Sequence, residues 1–409
     1  MEQYNYYQLD NHIKIIHKEV PSAVTHVGIV VNTGTRDERP EENGMAHFIE
    51  HTIFKSTHKR NTYQVLSYLE NVGGDLNAYT TKEETFFYAS ILNRYFERAL
   101  DLLSDIVFNG AFHEKDLETE KEVVIEEINS YKDNPAELIF DEFENQIFAG
   151  HPLGTFILGT PKSVRGFRRE KVLEFIRRTY HTDQMVIAVV GQLPFKNCVK
   201  AVKKYFEPIH TRLRDFQRQA FRDYQVRQVE KHIRSNQAHL IIGRPLPRFN
   251  DQKHLTATLL NNLLGGPGSN TRLNMAIREK NGLVYSVESA YAALSDTALF
   301  TVYAGMDEKN AERCRDLILR EFRRLREQKL GTLQLHRAKL QLIGQTCITN
   351  ESNLTEMLSI GKNHLIFREV ETIPEILQKV DSITADEMLE MANEMLDEQQ
   401  LSSLIYLKK

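Results

Sequence analysis

The sequence predicts an α+β protein made by duplicating one unit. Three matched blocks carry this expectation. Thr25–Val31, rich in β-formers, precedes a polar loop and a helix containing His47; Ala238–Gly243 precedes a polar loop and an apolar helix from about Leu255 to Leu264. Glu84–Ser90 leads into amphipathic Asn93–Leu103, and Ala298–Ala304 leads into amphipathic Asn310–Leu319. Each half closes on a helix and a strand: Glu170–Tyr180 with Met185–Val190, then Asp386–Leu396 with Leu401–Leu407. The helices follow the 3.6-residue apolar period, and the strands are short β-rich runs bounded by polar turns. Matching blocks lie roughly 210–220 residues apart, the signature of a repeated unit. Thr384 with Glu387 three residues on reads as a capping box for the last helix.

The segmentation that follows is an N-terminal domain over 1–212, a linker over 213–232 and a C-terminal domain over 233–409. The linker expectation rests on composition: the stretch is rich in Arg, Gln and Asp and poor in apolar residues. At 409 residues the chain exceeds what one ordinary core holds.

Composition narrows the function classes. The hydrophobic share is 41% and the charged share 26%, ordinary for a globular protein. A net charge of −4 argues against a dedicated nucleic-acid binder. No apolar run approaches a membrane span, so no membrane partner is expected. The first residues carry neither a basic start nor an apolar core, which predicts a cytoplasmic protein. Cys198, Cys314 and Cys347 are few, distant and odd in number, which suits buried thiols in a reducing compartment.

The sharpest chemical signal is His47-Phe-Ile-Glu50-His51. On a helix, residues four apart share a face, so both imidazoles can meet one metal ion. Neutral nitrogen donors suit Zn²⁺, and Glu50 stands beside them, placed to take a proton from water without ligating. Composition alone yields this pattern about once in twenty such chains, so it needs a third ligand. The acidic helix Asp116–Asn129 offers one: Glu120 and Glu127 are two turns apart on one face, and Glu127 follows apolar Val123-Val-Ile125. Spacing does not choose between Glu126 and Glu127.

At these residues the chain resembles the pitrilysin/insulinase family of zinc metallopeptidases, the inverzincins, in their two-domain form of roughly 400 residues. Gly44-Met-Ala-His47-Phe-Ile-Glu50-His51-Thr-Ile-Phe54 is similar to the family's metal helix, and Glu120 and Glu127 match its E-x₆-E. The resemblance implies two homologous α/β-sandwich domains, each an antiparallel-rich sheet covered by helices, in a duplicated half-shell architecture. It implies one zinc per chain held by His47, His51 and Glu127, Glu50 as base, and Glu120 orienting the site. Gly74–Thr80 resembles the family's edge strand, where Asn77 and Ala78 would bind a peptide added as an extra strand. Leu263-Leu-Gly-Gly-Pro-Gly268 and the stretch from Arg272 to Ser286 match the second half of the family, in which Arg278 and Tyr285 would hold the substrate carbonyl. Ser56 departs from the family's glycine after the metal helix. The implied activity is an endopeptidase hydrolysing short or unfolded peptides in a closed chamber, as a homodimer, with a heterodimer, or a non-catalytic peptide-binding or partner subunit of a heterodimeric peptidase, as the alternatives.

Overall fold

The computed structural model describes residues 4–368 and 370–409. Its strands are β1 (Asn5–Gln8), β2 (Lys14–Glu19), β3 (Val24–Val31), β4 (Asp75–Thr80), β5 (Thr85–Leu92), β6 (Met185–Gly191), β7 (Gln228–Ile233), β8 (Ala238–Pro247), β9 (Val284–Ala293), β10 (Thr297–Met306) and β11 (Ser402–Lys408). The helices are α1 (Met45–Thr52), α2 (Thr62–Glu70), α3 (Phe96–Asn109), α4 (Glu114–Lys132), α5 (Pro135–Ile147), α6 (Pro161–Arg165), α7 (Arg169–Thr179), α8 (Phe195–Phe206), α9 (Asp251–Gly265), α10 (Ala311–Glu327), α11 (Thr332–Thr349), α12 (Asn353–Phe367), α13 (Ile373–Ser382) and α14 (Ala385–Met395). Among the described residues no helix is long and apolar enough to cross a membrane.

Two sheets organise the chain. The first has strand order β1-β2-β6-β3-β5-β4, the second β7-β11-β8-β10-β9. Each is antiparallel apart from one parallel pair, β2 with β6 and β7 with β11. The repeat is visible in this order: β6, β3, β5 and β4 of the first sheet correspond to β11, β8, β10 and β9 of the second. The Thr384 capping box forms as its spacing predicts, with the hydroxyl accepting from the Glu387 N–H at 3.2 Å and the Glu387 carboxylate accepting from the Thr384 N–H at 2.7 Å.

The chain divides into two compact units, and neither is one continuous stretch. The first comprises Met1–Asn129, Thr155–Arg218 and Ile348–Thr372; the second comprises Ser130–Gly154, Gln219–Cys347 and Ile373–Lys409. The contiguous domains expected over 1–212 and 233–409 therefore need correction. β6 and β10 are buried along their whole length, so each sheet has two apolar faces and needs cover on both. In the first unit, α1, α3, α7 and α8 pack one face, and α12 seats Met357 and Ile360 against Ile16, Val30, Phe86 and Val186 on the other. In the second unit, α9, α10 and α14 pack one face, and Ile139, Phe143 and Ile147 of α5 pack Ile241, Leu299 and Tyr406 on the other. Each sheet is thus completed by a helix from the opposite half of the sequence.

The expected linker over 213–232 is corrected too. Arg214 and Arg218 reach the Asp37 carboxylate of the first unit at 2.9 and 2.6 Å, and Gln228 onward is strand β7, the edge of the second sheet. Buried ion pairs and backbone pairing hold a stretch that composition alone marks as exposed.

Candidate active site

α1 puts two kinds of residue on two faces. Met45, Ala46, Phe48 and Ile49 are buried in the core, and His47, Glu50 and His51 occupy the other side. The helix begins at Gly44, whose φ of +91° favours glycine, and a Cβ there would lie 2.8 Å from the Gly159 Cα. With no side chain at its N-cap, the helix takes its first-turn acceptor from Glu38, whose carboxylate oxygens accept from the Ala46 and Gly44 N–H groups, each at 2.9 Å. Burial pushes the Glu38 carboxyl up to about 8, opposed by these two amides and by Asn43.

α4 runs alongside, and its residues Glu120 and Glu127 meet the histidines. His47 Nε2 lies 3.7 Å and His51 Nε2 3.3 Å from one oxygen of Glu127. One ligand atom from each of His47, His51 and Glu127 lies within 4.8 Å of the others. Glu120, nearly fully buried, places an oxygen 3.5 Å from His51 Nδ1 and accepts the Lys55 ammonium at 2.5 Å on its other oxygen. The α4 residues Val124 and Ile125 are buried, while Val123 is 47% exposed and Glu126 and Glu127 are both exposed. Its distances to His47 and His51 single out Glu127.

The electrostatics suit a cation. Burial and the like charge of His51 push His47 down to about 4, so its imidazole is neutral near pH 7 and free to donate a lone pair. Burial opposes charge on His51, but Glu120 and Glu127 outweigh it and push the ring up to about 9. Hydrogen bonding to His51 lowers Glu127; Glu120 is lowered against its burial by His51 and Lys55. The site stabilises positive charge at one spot and presents two nitrogens and a carboxylate oxygen there. Among the described residues, His47 Nδ1 is buried without a hydrogen-bond partner. This donor set fits zinc, with three protein ligands as in catalytic sites.

Glu50 stands beside the cluster. Burial raises its pKa, opposed by the Thr80 hydroxyl and His51. Thr80 Oγ1 is itself buried and has no hydrogen bond at normal geometry, so it is a neighbour of Glu50 rather than an established donor. Thr80 lies on β4, the last strand of its sheet. β4 pairs only with β5, leaving its outer backbone groups without a strand partner among the described residues. Asn77 and Ala78 lie on this edge, and the Asn77 side-chain oxygen accepts from the Ala78 N–H at 2.8 Å.

Arg278 and Tyr285 belong to the second unit. Arg278 lies on a π-helical turn, Asn274–Glu279, and is exposed. Tyr285 is the second residue of β9, is 63% exposed and donates to an Asp307 carboxylate oxygen at 2.8 Å. Sequence reading missed Lys55, Thr80 and Glu38. Thr80 lies at the end of a stretch it singled out and Lys55 just beyond the metal helix, but their nearness to Glu50 and Glu120 is tertiary and left no sequence signal. Glu38 left none, because capping rules look at the residue just before a helix and Glu38 is six residues ahead of Gly44.

Comparison with known proteins gives the family and the fold. The family model described as "Insulinase (Peptidase family M16)" matches residues 14–161, and the one described as "Peptidase M16 inactive domain" matches residues 166–342. A Bacillus subtilis protein named "Uncharacterized zinc protease YmxG" is 29% identical over 400 residues, covering 98% of this chain and 97% of the relative. A Streptomyces coelicolor relative, likewise named an uncharacterized zinc protease, is 30% identical over 402 residues, covering 96% of this chain and 87% of its own. The fold is that of a Helicobacter pylori protease (TM-score 0.92, 19% identity, 100% of both chains) and of a Pseudomonas fluorescens structure described as a peptidase M16 inactive domain (TM-score 0.93, 18% identity, 100% of this chain and 98% of that one). The chain belongs to the insulinase family of peptidases, M16.

Proposed function

We propose that this protein is a zinc-dependent endopeptidase acting on short or unfolded peptides, with one zinc per chain held by His47, His51 and Glu127. The observation that carries the reading is the convergence of these three side chains with Glu50 alongside. Zinc at such a site supplies Lewis acidity, polarising a carbonyl and lowering the pKa of water. Glu50, at a carboxylate oxygen, takes the proton of the attacking water and delivers it to the leaving amine nitrogen. Its raised pKa brings it nearer neutrality, which suits a group that must both accept and release a proton. Glu120 fixes the His51 ring through Nδ1 and leaves Nε2 for the metal. The free edge of β4 receives the peptide backbone as an added strand beside Asn77 and Ala78.

Arg278 and Tyr285 are assigned to the substrate carbonyl on the family resemblance. Tyr285 must release Asp307 to serve there. The resemblance likewise supports the size limit on substrates and a homodimer as the working form. Against the alternative, a non-catalytic peptide-binding or partner subunit, stands the presence of His47, Glu50, His51 and Glu127 together.

The test is hydrolysis of a quenched fluorescent peptide by zinc-loaded wild type and Glu50→Gln, with bound zinc assayed in both. The variant keeps its zinc and loses activity by about 10²–10⁴-fold. No cleavage across a broad peptide panel by zinc-loaded wild type would overturn the peptidase reading.

A further inference from the structure

The helix that presents His47 and His51 lacks a cap of its own. Its N-cap is Gly44, held at φ +91° by a close crossing with Gly159, so no capping side chain fits there. An N-cap serine or aspartate would take the N–H of the second or third helical residue. Here Glu38 does this from six residues upstream: one oxygen accepts from the Ala46 N–H, the second helical residue, and the other from the Gly44 N–H, each at 2.9 Å. Asn43, just before Gly44, donates to the Phe156 carbonyl at 2.9 Å and fastens the same start to the 156–159 loop.

Glu38 is itself fixed. Its N–H donates to the Thr35 carbonyl at 3.2 Å, closing the turn Thr35–Asp37. The neighbouring Asp37 carboxylate accepts from Arg214 at 2.9 Å and from Arg218 at 2.6 Å. Ion pairs thus fasten Asp37 to the 214–218 strap, and its chain neighbour Glu38 hydrogen-bonds the first turn of α1, one residue before His47.

We propose that Glu38 is a positioning residue for the metal centre: its carboxylate clasps the first turn of α1 and so sets the direction in which His47 and His51 are presented. An eight-residue helix has little stability of its own, and frayed first turns would let His47 wander relative to Glu127. Glu38 touches neither substrate nor metal in this role; it acts through the backbone of α1. The proposal rests on reading His47, His51 and Glu127 as zinc ligands.

The experiment compares wild type, Glu38→Gln and Glu38→Asp as full-length chains. Glu38→Gln keeps the size but turns an NH₂ toward one of the two N–H donors. Glu38→Asp keeps both acceptors on a shorter arm. Zinc affinity is measured by chelator competition, kcat and KM at saturating zinc, and amide exchange along α1 by mass spectrometry, with far-UV circular dichroism as the check on folding. Glu38→Gln is expected to stay folded, bind zinc at least about 10-fold more weakly, lose kcat with KM within about twofold, and exchange the α1 amides faster; Glu38→Asp recovers part of each. The 10-fold scale is that of partners orienting a metal ligand. Unchanged zinc affinity and unchanged α1 exchange in folded Glu38→Gln would overturn the proposal. If wild type binds no zinc, the ligand reading fails instead, and the exchange measurement still decides whether Glu38 clasps the helix.

Discussion

Around His51 the sequence put two histidines on one helical face, and the structure brings Glu120 and Glu127 to them. The His47–His51 spacing was readable because four residues return a helix to the same face. The choice of Glu127 over Glu126 was not: it came from the family resemblance, and in the structure from the distances of its carboxylate to His47 and His51. Val123 shows the limit, since a Val-Val-Ile run reads as uniformly apolar while only Val124 and Ile125 are covered. Glu120→Gln is expected to bind zinc about 10–100-fold more weakly while keeping its fold, measured by chelator competition, because His51 loses the carboxylate that orients its Nδ1 side. The cysteines give a second residue-scale prediction. Burial pushes Cys198 and Cys314 up to about 12, and both stay protonated at pH 8; Cys347 is exposed. Because the thiolate is the nucleophile, maleimide at pH 8 is expected to label one thiol per native chain and all three after denaturation. Rapid labelling of all three in the native protein would contradict this.

Elements were legible wherever a period was strong. The expected strands and helices lie where the structure has β3, β5, β6, β8, β10 and β11 and α3, α7, α9, α10 and α14, with α3 and α10 running six and eight residues further than expected at their C-terminal ends. What the pattern did not show was the partner of each apolar face. α5 carries Ile139, Phe143 and Ile147 at four-residue spacing, a clear stripe, and nothing in the stripe says which sheet it covers. α12 packs so closely that a Cβ on Gly361 would meet Phe86 Cζ at 2.9 Å and Ala188 Cβ at 3.0 Å. Gly361→Leu is therefore expected to destabilise the protein by about 1–3 kcal/mol through overpacking. Phe143→Ala is expected to cost about 3–5 kcal/mol through the cavity it leaves against the second sheet. Urea unfolding checks both, and a midpoint equal to wild type in either variant would mean the helix does not pack as described.

For the whole molecule, the exchange of α5 and α12 bears on how the protein can be cut. A fragment ending at residue 212 contains the first sheet and every candidate ligand, yet lacks α12, leaving Ile16, Val30, Phe86 and Val186 uncovered. Such a fragment is expected to be aggregation-prone or to lack near-UV circular dichroism, although it looks like a complete domain by sequence repeat. A monomeric, cooperatively folded fragment 1–212 would show that α12 is dispensable to the first unit.

The sequence by itself determined the duplicated α+β plan, the individual elements and the pair of histidines on one helical face, because all of these follow from short-range periodicity and local caps. Only the tertiary structure decided which helix covers which sheet, where the units divide, that Lys55 and Thr80 stand beside the candidate carboxylates, and that Glu38 replaces a missing cap. Local pattern records that a face is apolar or a backbone group is orphaned. The surface or side chain that satisfies it comes from a remote part of the chain, and that pairing is fixed by packing in three dimensions.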